Sequence, residues 1–146
     1  MTLVHAESSA RTLAPGTGRL LLDISRSVLS PHLRDHRVAV TVDGYPWRFA
    51  WGRTWIDLPV GRHDVEIEVE HVGGWGRVAD AVPVAAGHTV EAYYRAPALP
   101  RLAGALGPRA QRTRGAVVCA VLAVTAGTAL AGLLALLVVG LVGLAG

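Results

Sequence analysis

The chain has no lysine, one cysteine, one methionine and one phenylalanine among its 146 residues, and after Arg114 it has no charged residue at all. The lone Cys119 excludes a disulfide framework or a multi-cysteine metal site within one chain, and it leaves the redox compartment open. With lysine absent, all fourteen basic residues are arginine, which together with abundant Ala, Gly and Val reflects a GC-rich coding sequence more than a selected surface. Ten of them face all eleven acidic residues in residues 1–99, a balance of −1, and the other four lie in residues 100–114 without any acid. The folded part therefore lacks the basic patch that nucleic-acid binding needs, and no nucleic-acid partner is expected. No Gly-rich phosphate loop leads from a strand into a helix, and neither HExxH nor CxxC occurs, so no catalytic, cofactor or metal site is expected. The opening "MTLVHAESSARTLAPGTG" has no apolar stretch behind a basic start. It reads as a flexible arm over residues 1–17, not as a secretory signal.

What the end of the chain does contain is an uninterrupted apolar tract. Residues 115–146 carry polar side-chain atoms only at Cys119, Thr125 and Thr128, and fourteen Leu and Val residues lie between Val117 and Val142. At roughly 0.3–0.6 kcal/mol each, those residues favour membrane insertion by about 4–8 kcal/mol. As one helix the tract is about 48 Å long, more than enough to cross a hydrocarbon core of about 30 Å. Division at Gly127 or Gly132 would leave arms too short to span, so one crossing is expected, near residues 117–139, with the glycine-rich end loosened. Arg101, Arg109, Arg112 and Arg114 flank it on one side only. By the positive-inside rule, the preceding domain is expected in the cytoplasm and the chain in the cell membrane. The same arginines are candidates for contact with anionic headgroups. Cys119, near the interface, is a site where acylation is conceivable, although a small apolar residue in a helix is the simpler reading. Ala123, Gly127, Ala131 and Ala135 recur every four residues, a candidate seam for self-association.

Between Gly18 and Pro97 the periodicity is two. "RVAVTVDG" sets Val38, Val40 and Val42 on one face and ends in an Asp43-Gly44 turn, and "HDVEIEVEH" sets Val65, Ile67 and Val69 against Asp64, Glu66, Glu68 and Glu70. "GRLLLDI", "WIDLPVG", "VADAVPV" and "HTVEAYY" extend the pattern. Six or seven short strands without an intervening amphipathic helix predict a mainly β fold, a small antiparallel β-sandwich of the immunoglobulin-like kind over residues 18–97. A Pro/Arg-rich linker then covers residues 98–114 and the transmembrane segment residues 115–146. "SRSVLSPHLRDH" holds one helical turn or a loop, broken by Pro31.

"VAVTVDG", "WIDLPVGRHDVEIEV" and "VPVAAGHTVEAYYRAP" together resemble the PEGA-type repeat, a small surface-layer-like β-sandwich. The likeness covers residues 37–97 and rests on Asp43, Gly44, Leu58, Pro59, Gly61, His63, Val65 and Gly87. The chain is also similar to actinobacterial membrane proteins whose domains end in "YRAP". The resemblance implies a β-sandwich and no catalytic residues. The family's usual aromatic and "SP/TP" turn signals are missing here, and its members often lie outside the cytoplasm.

Two constellations invite a functional reading. His63, Asp64, Glu66, Glu68, Glu70 and His71 suggest a metal site, but alternation turns the histidines to the valine face and the carboxylates away, so one strand cannot join them. In "YPWRFAWGRTW", Tyr45, Trp47, Phe49 and Trp51 share a face if the segment is extended. Core packing is the first expectation. Should the face be open, Trp47, Phe49 and Trp51 flanked by Arg48 and Arg53, with Trp75 on a nearby mobile loop, form the candidate protein-partner surface. An enzyme would instead use a pocket lined by His32, His36 or His88 beside a carboxylate. The expected function is a non-enzymatic, single-pass membrane-anchored binding module, partnered with the lipid bilayer. The alternative is an envelope protein of inverted topology with a structural or adhesive role.

Overall fold

The computed structural model describes residues 13–145, with side chains through residue 143. The start of the expected arm, residues 1–12, lies outside them. Alternation places the core: β1 (Thr17–Ser25) turns Leu20, Leu22 and Ile24 inward, β2 (Val38–Val42) its three valines, and β5 (Gly61–Val69) Val65, Ile67 and Val69. Buried apolar side chains come from both faces of a sandwich of two four-stranded sheets. One has the order β4-β1-β7-β8 and the other β3-β2-β5-β6, where β3 is Tyr45–Phe49, β4 Gly52–Pro59, β6 Trp75–Val84, β7 Thr89–Arg95 and β8 Ala105–Gly107. The fold is the expected mainly β sandwich followed by one apolar helix, α1 (Ala116–Ala145).

Every ladder but one is antiparallel. β7 runs parallel to β1, from Arg19 opposite Thr89 to Ser25 opposite Arg95. The reason is the crossing from β6, which brings the chain back beside the start of β1: Gly87 N–H donates to Thr17 O and Arg19 N–H to His88 O, both at 2.9 Å. A Cβ at Gly18 would fall 2.3 Å from Ala85 O, so only glycine lets the crossing pass so close.

Two strands lie beyond the periodic segments read from sequence. β3 is the aromatic run itself, paired with β2 from Val38 opposite Phe49 to Val42 opposite Tyr45. β8 lies within residues 98–114, where it pairs with β7 through Tyr93–Gly107, Tyr94–Leu106 and Arg95–Ala105. The sandwich thus continues past residue 97. A three-residue strand that follows Gly104 and ends on Gly107 is too short for a periodic signal, and side-chain packing helps to hold it. Gly104 passes over the Tyr94 ring, where a Cβ would lie 2.6 Å from Cε2. Residues 108–114 stay on the domain as well, since Ala98 N–H donates to Arg114 O at 3.0 Å and Arg95 Nε–H to Thr113 Oγ1 at 2.9 Å.

Pro31 opens a short 3-10 turn, Pro31–Leu33, where it was expected to break one. Its fixed φ suits a first helical position, and its missing N–H costs nothing there. The turn drops Leu33 into the core, and buried Ser30 reaches Pro97 O and Ala98 O with its hydroxyl, both at 3.4 Å.

Candidate functional site

β3 and β4 are the outer strands on the same side of the two sheets, because β6 and β8 meet on the other side. On β3, Tyr45, Trp47 and Phe49 pair with the buried valines of β2 and so share their inward face. At an edge that face has little above it. Trp47 stays 46% exposed and Tyr45 74%, while Trp47 and Phe49 stack at 6.2 Å with planes 5° apart. The aromatic run is therefore divided: Phe49 and Trp51 pack partly against the core, and Tyr45 and Trp47 overhang it. Trp51 lies where the chain crosses from one sheet to the other, its Nε1–H donating to Leu33 O at 2.9 Å.

The other residues expected on this surface are distributed by strand geometry. Arg48 points to the opposite side of β3 and pairs with Glu70 at 2.7 Å. Arg53 lies on the outer face of β4 and pairs with Asp23 at 3.2 Å. Trp75 is a correction. It begins β6 at the far edge of the sheet and is only 6% exposed, its Nε1–H bound to Pro97 O at 3.0 Å, so it belongs to the core and not to a loop beside Trp47. Conversely, Trp55 was not singled out and is 49% exposed, opposite Leu21 on the outer face of β4. Its signal was parity: Ile56 and Leu58 are buried, so Trp55 must point outward.

The histidines and carboxylates separate as alternation requires. The outward Glu66 pairs with Arg77, and Glu70 with Arg48. His63 turns inward instead, with Nδ1–H on Asp43 Oδ2 at 2.5 Å and Nε2–H on Pro59 O at 2.8 Å. Both nitrogens donate, so the ring is held as imidazolium. The hydrogen bond it donates to Asp43, then that to Pro59, raises its pKa, and the same contact lowers that of Asp43. His32 and His36 both meet His71, and His32 and His71 meet Trp75, whereas His88 sits apart in the β6–β7 turn against Ala86 O. Among the described residues no group of three or more His, Cys, Asp or Glu is placed to hold a metal.

The helix is the second feature. Ala116–Gly143 is long and apolar enough to cross a membrane, and none of its apolar window is buried against the sandwich. Leu and Val side chains from Val117 to Val142 are exposed on every side. Thr125 and Thr128 give their hydroxyl protons to carbonyls one turn back, at 2.9–3.1 Å, so their polarity is satisfied inside the helix. Ala123, Gly127, Ala131 and Ala135 follow one side of this exposed helix. Arg101, Arg109, Arg112 and Arg114 are exposed ahead of it and take part in none of the domain's ion pairs. No family model, curated protein or solved structure matches the chain.

Proposed function

We propose that the chain is a single-pass membrane-anchored β-sandwich that works by binding a protein partner, not by turnover, and that its partner surface is the β3/β4 edge. The observation that carries the anchoring is a thirty-residue helix whose leucines and valines lie open on all sides of a folded domain. Hydrocarbon is the solvent such a surface fits. The partner surface rests on Tyr45, Trp47 and Trp55, the exposed aromatics of the two edge strands on this side, with Arg53 on the same face of β4 as Trp55 and Arg48 on the outer face of β3. Large aromatic side chains left open at an edge, near arginines, have the composition of interface anchors. Arginines ahead of the helix favour a cytoplasmic domain at the cell membrane. The likeness to the PEGA-type repeat belongs to the same proposal, supported by the way Asp43, Pro59 and His63 join in one corner.

The experiment is photo-crosslinking in intact cells, with a benzophenone amino acid at position 47 or 55 and a control at Ala86 in the opposite turn. Discrete adducts at 47 and 55, absent at 86, are expected, together with resistance of the domain to protease added outside. Equal labelling at all three positions overturns the edge as a partner surface, and cleavage of the domain on intact cells overturns the orientation.

A further inference from the structure

The end of the sandwich from which the helix departs is unlike the rest of its surface. β1 ends there, and the Ser27–Leu33 loop that follows is tied by Ser30 to Pro97 O and Ala98 O. Pro97 O also accepts the Trp75 indole N–H, which places the β5–β6 loop around Val72 at the same end. Ala98 N–H holds Arg114 O, and Gly115 packs on Leu99 and Leu102, where a Cβ would fall 2.8 Å from Leu102 Cδ1. Three separate stretches of chain thus meet at the root of the helix.

Each stretch presents aliphatic side chains to the outside at this end: Val28 at 87% and Leu29 at 46% exposure, Val72 at 95%, and Leu102 at 38%. Among the described residues of the domain, Val60 is the one other Val, Leu or Ile that is as exposed, and it lies elsewhere. Arginines surround them. Arg26 and Arg34 flank the first loop, Arg101 lies between Val72 and Leu102, and Arg112 and Arg114 precede the helix, none of them in an ion pair among the described residues. In contrast, Arg19, Arg48, Arg53 and Arg77, on the sheet faces, are each held by a carboxylate. Aliphatic tips among arginines that outnumber the nearby carboxylates Asp35 and Glu68 match the boundary between acyl chains and phosphates.

We propose that this end of the sandwich rests on the bilayer, with Val28, Leu29, Val72 and Leu102 at the acyl boundary and the surrounding arginines on the phosphates of anionic phospholipid. The segment ahead of the helix is then not a tether. Its hydrogen bonds to β7 and Ala98 fix the domain relative to the helix root, so crossing of the bilayer by the helix brings the loops down with it. The consequence is orientation: the β3/β4 edge stands sideways to the membrane, and the Asp43 and Ala86 turns point away from it. The inference rests on the membrane-anchored reading, and its test separates the two.

The full chain, with Cys119→Ser to leave one thiol per variant, is placed in nanodiscs of phosphatidylcholine with and without phosphatidylglycerol. Spin labels are attached at Val28→Cys, Val72→Cys, Ala86→Cys or Leu133→Cys, and collision with oxygen and with a water-soluble nickel complex is measured. The expected result is lipid-like accessibility at 133, interfacial accessibility at 28 and 72, and aqueous accessibility at 86. The interfacial shift is greater with phosphatidylglycerol and is reduced by Arg101→Gln, Arg112→Gln and Arg114→Gln together. Aqueous labels at 28 and 72 with a lipid-like label at 133 overturn the docked end and leave the anchor standing. An aqueous label at 133 overturns the anchor and the docked end with it. Equal shifts in both lipids overturn the arginine–phosphate contact.

Discussion

His63 shows what one side chain does when its parity and its chemistry disagree. Alternation along β5 sends it toward the core with Val65, Ile67 and Val69, yet it is a titratable group. The fold resolves the conflict by aiming both ring nitrogens at acceptors: Asp43, at a turn where φ is 49°, and Pro59 at the β4–β5 corner. Asp43 in turn accepts the Asp64 backbone N–H at 2.9 Å, so two turns and strand β5 are joined around one ring. Because His63 titrates higher folded than unfolded, its stabilisation is complete below the unfolded value of about 6.5 and is lost as pH rises through the folded value. Asp43 has the opposite shift, and its contribution is lost as pH falls through its lowered folded value. The thermal midpoint of the domain in detergent is therefore expected to fall from pH 6 to pH 9, and His63→Gln to flatten that slope. A wild-type slope retained in His63→Gln contradicts the assignment. The inward parity of His63 could be read from the alternation of β5. Its partners could not, because they lie twenty residues upstream and four upstream, in turns whose approach no local pattern encodes.

At the scale of elements, β8 and the stretch after it are the informative case. A Pro/Arg/Gly-rich composition reads as linker, and six strands could be found from their alternation alone. What makes Ala105–Gly107 a strand is the shape of the Tyr94 environment. Its phenol donates to Gly76 O at 2.9 Å, and burial keeps it protonated by raising its pKa. Gly76 and Gly104 provide the space around that ring, since a Cβ on Gly76 would meet Pro97 Cδ at 2.5 Å and one on Gly104 would meet Gly76 O at 2.3 Å. Overpacking at such a place costs about 1–3 kcal/mol. Gly104→Ala is expected to lower unfolding stability by that amount, and Tyr94→Phe by about 1–2 kcal/mol through loss of a buried hydrogen bond. Denaturant titration followed by tryptophan fluorescence measures both, and an unchanged midpoint in Gly104→Ala would place β8 outside the cooperative unit. β3 makes the complementary point. Its aromatic alternation was legible, but exposure was not, because the same inward face is core in β2 and overhang one strand farther out.

For the whole molecule, the chain divides into a folded sandwich and a helix long and apolar enough to cross a membrane. The helix is apolar all round, and at roughly 4–8 kcal/mol in favour of insertion it tolerates little charge. Leu130→Arg with Leu134→Arg, near the middle of Ala116–Gly143, together remove about 5–7 kcal/mol of that preference. The expected outcome is a larger carbonate-extractable fraction with an intact sandwich, read by separation of membrane and soluble fractions. A fraction identical to wild type contradicts hydrocarbon as the medium of the helix. The β class, the inward face of six strands, the apolar helix and the arginines ahead of it could all be read before any fold was known, because each is written in local periodicity or composition. Long-range packing set the parallel course of β7 beside β1, the burial of Trp75 against the exposure of Trp55, and the gathering at the helix root of the loops that carry Val28, Leu29, Val72 and Leu102. Those facts depend on which distant segments become neighbours, and that is set by packing across the sandwich.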